Sequence, residues 1–163
     1  MLKHVLATCA ALALTLHAPA RADAPVAPAT PAASAAPARY DAALAASLGA
    51  DERGMRQYVL VILKTGPNKM AAGEARTKMF AGHFANMNKL AGEKKLVLAG
   101  PLDGTDGRRG IFVLNTPDLE AAKAWVATDP VIINGEMVAE YQKFYGSAAL
   151  MMVNDVHAKI EKK

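Results

Sequence analysis

The stretch MFAGHFANMNKLAGEKKLVLAGP, residues 79–101, begins as a helix and ends as a strand. Phe80, His83, Phe84, Met87, Leu90 and Ala91 recur at steps of three and four. That spacing predicts a helix over 72–92 with one apolar face laid on a sheet, and Gly92 stands where such a helix can end. KKLVLAGPL, from residue 94, then has the short apolar run of a strand. His83 is the polar member of the stripe. Either it fills a core, bonded to a backbone carbonyl, or it does chemistry.

Upstream, RQYVLVILK (56–64) is apolar on both alternating faces, with Tyr58, Leu60 and Ile62 pointing one way and Val59, Val61 and Leu63 the other. A strand of that kind is covered on both sides. TGPNKMA is a loop into the helix. Downstream, DGTDGRRG holds two Asp-Gly pairs and predicts a hairpin leading into the strand GIFVLNT. Thr116 is placed to cap a second helix, with Pro117 at its first position and Asp118 and Glu120 in its first turn. Leu119, Ala122 and Val126 or Trp125 face inward, and the helix runs to about Thr128. DPVIINGE is a connection, and MVAEYQKFY (137–145) is the fourth strand. The order β-α-β-β-α-β predicts an α+β, ferredoxin-like fold: an antiparallel four-stranded sheet with both helices on one face. The other apolar face then needs a cover. A second copy, giving a homodimer through the sheet face, is the simplest; the helix expected in GSAALMMVNDVHAKIEKK is the competitor.

The ends of the chain read differently. Residues 1–22 have a basic start, the apolar run VLATCAALALTL and small residues suited to cleavage after Ala20 or Ala22. This is the pattern of an export signal and is too short for a comfortable membrane span. It predicts a periplasmic or secreted protein with no stable span after removal. Residues 23–55 open with an Ala/Pro-rich spacer, DAPVAPATPAASAAPAR, expected to be disordered, and continue into the lead-in YDAALAASLGADERG, with a short helix ending at Gly49. The domain proper is expected over 56–145 and a helical extension over 146–163.

Cys9, the only cysteine, leaves with the signal, so disulfides, thiolate nucleophiles and cysteine-held metals are excluded from the rest. The formal charge of +4 includes Lys3 and Arg21, and residues 1–22 hold no acid, so the remainder carries +2. That excess is too small and too scattered for a nucleic-acid surface. Metal-ligand spacings such as HExxH, phosphate-binding glycine loops and the GxSxG nucleophile pattern are all missing. No metal or organic cofactor is expected.

In this order and spacing, the domain resembles the YCII-related family. The resemblance rests on YVLVIL, the histidine helix followed by KLVLAGP, AAKAWVATDP, and VIINGEMVAEYQ entering the last strand. It covers roughly 56–145 and implies a dimeric α+β barrel. It also implies that His83 and Asp129 form the family's His-Asp pair, with His83 as acid or base and Asp129 fixing its tautomer. Without the resemblance, Asp129 reads as ordinary turn chemistry at the end of a helix, where the dipole disfavours an anion. Gly100 and Pro101 are expected to shape a substrate pocket, with Tyr58 and Tyr145 lining it; core packing is the default for these tyrosines and for Phe144. Arg108 and Arg109 read as a solvated hairpin tip able to attract an anion, and His157 as a surface or interface residue.

The function expected from all this is an exported YCII-like protein that binds an unidentified small molecule. Cofactor-independent His/Asp acid–base chemistry, of the lyase or isomerase kind, is the enzymatic reading. The alternative is a non-catalytic ligand-binding or interaction module of the cell envelope.

Overall fold

The computed structural model of the chain describes residues 39–162. The expected signal and the Ala/Pro segment as far as residue 38 lie outside the described residues. Eleven residues of the first strand set the architecture. β1 (Met55–Thr65) alternates so that Val59, Val61 and Leu63 face one side, fully or nearly buried, and Tyr58 faces the other, also buried. β1 pairs antiparallel with β3 (Arg108–Leu114) and with β4 (Met137–Ser147), and β3 pairs antiparallel with β2 (Leu96–Pro101). The sheet order β2-β3-β1-β4 is the ferredoxin-like order that the β-α-β-β-α-β sequence predicts.

On the Val59 side, the sheet meets α2 (Glu74–Gly92) and α3 (Leu119–Val126). Met79, Leu90, Ala122 and Val126 complete that core with Phe112 and Leu114. The buried stripe of α2 runs through Met79, His83 and Leu90, while Phe84 is 58% exposed. The expected stripe is thus rotated by part of a turn, and Phe84 stands at an open rim instead of in the core.

Several local expectations are corrected. α2 ends at Gly92, as expected, but not through a glycine in the left-handed region. Lys94 takes that conformation (φ 56°), and the Lys95 and Lys94 N–H groups donate back to Leu90 O and Ala91 O at 2.9 Å each. Two of the free carbonyls of the last turn are thereby satisfied. Thr116 does not cap α3. The cap is Asp118, whose carboxylate accepts from Glu120 N at 2.9 Å, while the Thr116 hydroxyl accepts from Asp118 N at 3.1 Å one step earlier. DPVIINGE is not a bare connection: Pro130–Ile133 forms a single helical turn, α4.

The lead-in contains α1 (Ala42–Ser47), capped by Asp41. Arg56 ties it down, donating to Leu48 O at 2.7 Å and to Asn115 Oδ1 at 2.6 Å.

The second sheet face buries Tyr58, Val97 and Val113, with Leu60, Leu98 and Phe144 packed beside them. Part of its cover comes from the C-terminal segment. Residues 148–152 form a 3₁₀ turn that lays Leu150 and Met151 on this cluster. The helix α5 (Val153–Ile160) follows, and Asn154 Nδ2 donates to Leu96 O at 2.8 Å, at the outer edge of the sheet. Ile62 and Ile111, on the same face, stay partly exposed. The extension is therefore a 3₁₀ turn plus a short helix, not one continuous helix, and it covers one part of the face only.

Candidate active site

His83 sits in the middle of α2, 7% exposed, and its Nδ1 lies 2.7 Å from Asp129 Oδ2. Asp129 is fully buried. It reaches the histidine because α4 packs closely on α2: a Cβ at position 82 would meet Pro130 Cγ at 3.0 Å, so a glycine just before His83 admits the proline that follows Asp129. Asp129 is also the N-cap of α4, its Oδ1 accepting from Val131 N at 3.1 Å. The expectation that it suffers an unfavourable helix end is therefore reversed. Its carboxylate faces the donor end of a helical turn, where an anion is stabilised.

This arrangement assigns the histidine's protons. A carboxylate is acceptor-only, so Nδ1 carries the hydrogen and donates it, and in the neutral ring the lone pair then falls on Nε2. Nε2 has no hydrogen-bond partner among the described residues. The imidazole is held by aromatic rings. Phe112 stacks on it at 6.1 Å and 23°, Phe80 meets it edge-on at 6.1 Å, and Phe84 leans over it at 5.4 Å.

His83 lines a cavity of about 350 Å³. The three phenylalanines line it, Phe80 and Phe84 from α2 and Phe112 from β3, and Leu63, Met87 and Met137 add apolar surface. Ala99, Gly100, Pro101 and Gly110 supply the wall from the β2–β3 hairpin, and Arg109 is the other polar side chain of the lining besides His83. A cavity of this size, mostly apolar with a few polar groups, suits a small molecule. Among the described residues no group of three His, Cys, Asp or Glu side chains is clustered as metal ligands would be.

The expected site residues divide cleanly. His83, Asp129, Gly100 and Pro101 come together. Tyr58 does not join them: it is fully buried on the opposite sheet face, its hydroxyl donating to Ser147 O at 3.0 Å. Tyr145 does not either: it is 42% exposed near the lead-in, and its hydroxyl donates to Asp51 Oδ2 at 2.5 Å. That bond holds the Tyr145 hydroxyl above its ordinary range and the Asp51 carboxyl below it. Phe144 belongs to the second-face cluster and His157 is exposed on α5. Arg108 is solvated as expected, 3.7 Å from Asp106, but Arg109 is not at the hairpin tip.

One supporting residue escaped the sequence reading. Glu136 is fully buried at the start of β4. Its Oε1 accepts from Arg76 Nη2 at 2.7 Å and its Oε2 from Met70 N at 2.7 Å. The Arg76 guanidinium lies over the Phe80 ring at 4.7 Å, so this carboxylate steadies a wall of the cavity through its arginine. A lone glutamate after Asn-Gly carries no local signal of burial; its partners lie 60 and 66 residues away.

The sequence model of the YCII-related domain matches residues 57–144. The chain belongs to the YCII-related domain family. The matched segment runs from near the start of β1 nearly to the end of β4 and includes both His83 and Asp129. Among solved structures, this YCII-related chain is similar to 5-chloro-2-hydroxyhydroquinone dehydrochlorinase from Burkholderia phenoliruptrix AC1100, determined in complex with 2,5-dihydroxybenzoquinone. The two share 18% identity over 53% of this chain and 92% of that one, with a TM-score of 0.41. No curated protein matches the chain.

Proposed function

We propose that this YCII-related domain binds a small carbon acid in the cavity beside His83 and moves a proton with that histidine. The observation that carries the reading is the buried 2.7 Å contact between His83 Nδ1 and Asp129 Oδ2 at the wall of an apolar cavity. With Nδ1–H committed to the carboxylate, Nε2 is available to take a proton from a C–H bond. Asp129 stabilises the imidazolium that results. Returning the proton to another atom is an isomerisation; losing a leaving group is an elimination. Neither route calls for a metal or organic cofactor.

A thermal-shift screen of the full chain against small enolisable compounds tests the binding half. Compounds that occupy the cavity are expected to raise the Tm of the wild type, since stabilisation grows with the logarithm of occupancy. They are expected to raise that of His83→Gln less. A complete absence of stabilising compounds, or equal shifts in both proteins for every one, would count against the reading.

The same proposal includes export and self-association. The first 22 residues support the former. The partly exposed Ile62 and Ile111 of the second sheet face, beside the strip covered by residues 148–152, support the latter. Among the described residues no helix is long and apolar enough to cross a membrane. Native mass spectrometry of the exported protein tests both parts: a homodimer of chains beginning at Arg21 or Asp23 is expected. Uncleaved or monomeric chains would overturn the corresponding half.

A further inference from the structure

Apart from His83, the otherwise apolar lining of the cavity holds one charged side chain, Arg109. Arg109 is partly buried and takes part in no side-chain hydrogen bond or ion pair among the described residues. Its neighbour Arg108 is exposed and pairs with Asp106. The difference comes from the backbone. β1 and β3 lose register between Leu63 and Lys64: Leu63 pairs with Gly110 and Lys64 with Arg108, so Arg109 is the extra residue of a β-bulge. A bulge breaks the strict alternation of side chains and re-aims one of them. Simple alternation would send Arg109 to the face of Ile111, away from Phe112. Instead it lines the cavity with Gly110 and Phe112.

The same charge is also felt at Glu136. The Arg109 charge adds, after Arg76 and the Met70 N–H, to holding that carboxyl below its ordinary range. Glu136 is already bonded through both oxygens. With two arginines around one carboxylate, one positive charge is left over, and Arg109 is the one beside the cavity. A guanidinium so placed has five N–H donors and a geometry that matches a carboxylate.

Resting on the reading of this cavity as a ligand site, we propose that Arg109 selects the ligand's charge: the ligand is a compact, largely apolar molecule bearing a carboxylate, whose oxygens bind Arg109 while its carbon body fills the phenylalanine-lined space beside His83. Arg109 acts here as a binding residue and not as a proton donor. The apolar walls contact the carbon body, the guanidinium orients it, and Nε2 of His83 meets its C–H.

The test uses benzoate and cyclohexanecarboxylate as probes beside their neutral amides, benzamide and cyclohexanecarboxamide. Affinity is measured on the full chain by NMR titration, following the His83 ring signals. Wild type is expected to bind each carboxylate at least roughly tenfold tighter than its amide, the scale of one hydrogen-bonded charge. Arg109→Met should abolish that preference, Arg109→Lys should restore part of it, and Arg108→Met should leave it intact. Circular dichroism checks that each variant is folded. If both probe series bind and wild type shows no preference for the anion, the inference falls while the cavity reading stands. A preference that survives Arg109→Met would also overturn it. If neither series perturbs His83, the cavity reading falls and this inference with it.

Discussion

Asp129→Asn is expected to slow proton transfer at His83 by about a thousandfold while leaving the domain folded. The reason lies in the two bonds that Asp129 makes. One carboxylate oxygen accepts from Val131 N and the other from His83 Nδ1, at 3.1 and 2.7 Å. An asparagine has one oxygen and one NH₂ group. The Val131 N–H requires the oxygen, so the NH₂ must face Nδ1, which then has to accept. The ring responds by moving its hydrogen to Nε2, which loses its lone pair and cannot take a proton. The volume and the helix cap are retained, so the stability loss should stay near the about 1–3 kcal/mol typical of one compromised buried hydrogen bond. Rates on a cavity-binding substrate, measured beside a urea unfolding curve, separate the two effects. An unaltered rate would mean that the tautomer is irrelevant to the function.

Glu136→Gln is expected to be the more damaging change for the fold. Both carboxylate oxygens accept hydrogen bonds, from Met70 N and from Arg76, with no exposure to solvent. A glutamine again offers only one oxygen, so one donor meets an NH₂ group. The half-buried Arg76 loses its counter-charge as well. Removing one partner of a buried ion pair costs about 3–5 kcal/mol, a large share of the about 5–15 kcal/mol that holds a domain together. Urea unfolding of the full chain checks this, and a loss below the scale of an exposed pair, about 1 kcal/mol, would refute it.

The same residue gives a pH dependence. Hydrogen bonds from Arg76 and then Met70 N hold the Glu136 carboxyl below its ordinary value of 4.5. Its contribution to stability is therefore complete above that value and is lost as the pH falls through the folded-state value. Wild type should lose stability on acidification below about pH 4.5, and Glu136→Gln should lack this part of the acid limb.

How much of this was legible in the sequence varies with the distance over which each feature is decided. The period-two pattern of Tyr58 to Leu63 was enough to assign both faces of β1, because each side chain follows from its neighbour. The sheet order followed from the sequence of elements. That same pattern already put Tyr58 on the face away from Val59; choosing it as a pocket residue rested on its aromatic type alone, and type does not select a face. Asp129 was misread because a four-residue helix is too short to show a period, so its cap looked like the tail of α3. Its pairing with His83 spans 46 residues and came from the family resemblance, not from spacing. Arg109 looked like hairpin because a one-residue bulge leaves no mark on composition. The close approach at Gly82 was invisible until Pro130 was in place.

If His83 takes a proton from carbon in this cavity, a bound carbon acid exchanges that hydrogen with solvent. Compounds that stabilise the full chain are incubated with it in deuterium oxide, and incorporation of deuterium at their acidic carbon is followed by NMR. The expected result is rapid exchange with wild type and only the uncatalysed rate with folded His83→Gln. Equal exchange with both proteins, or no exchange into any compound that binds, would contradict it.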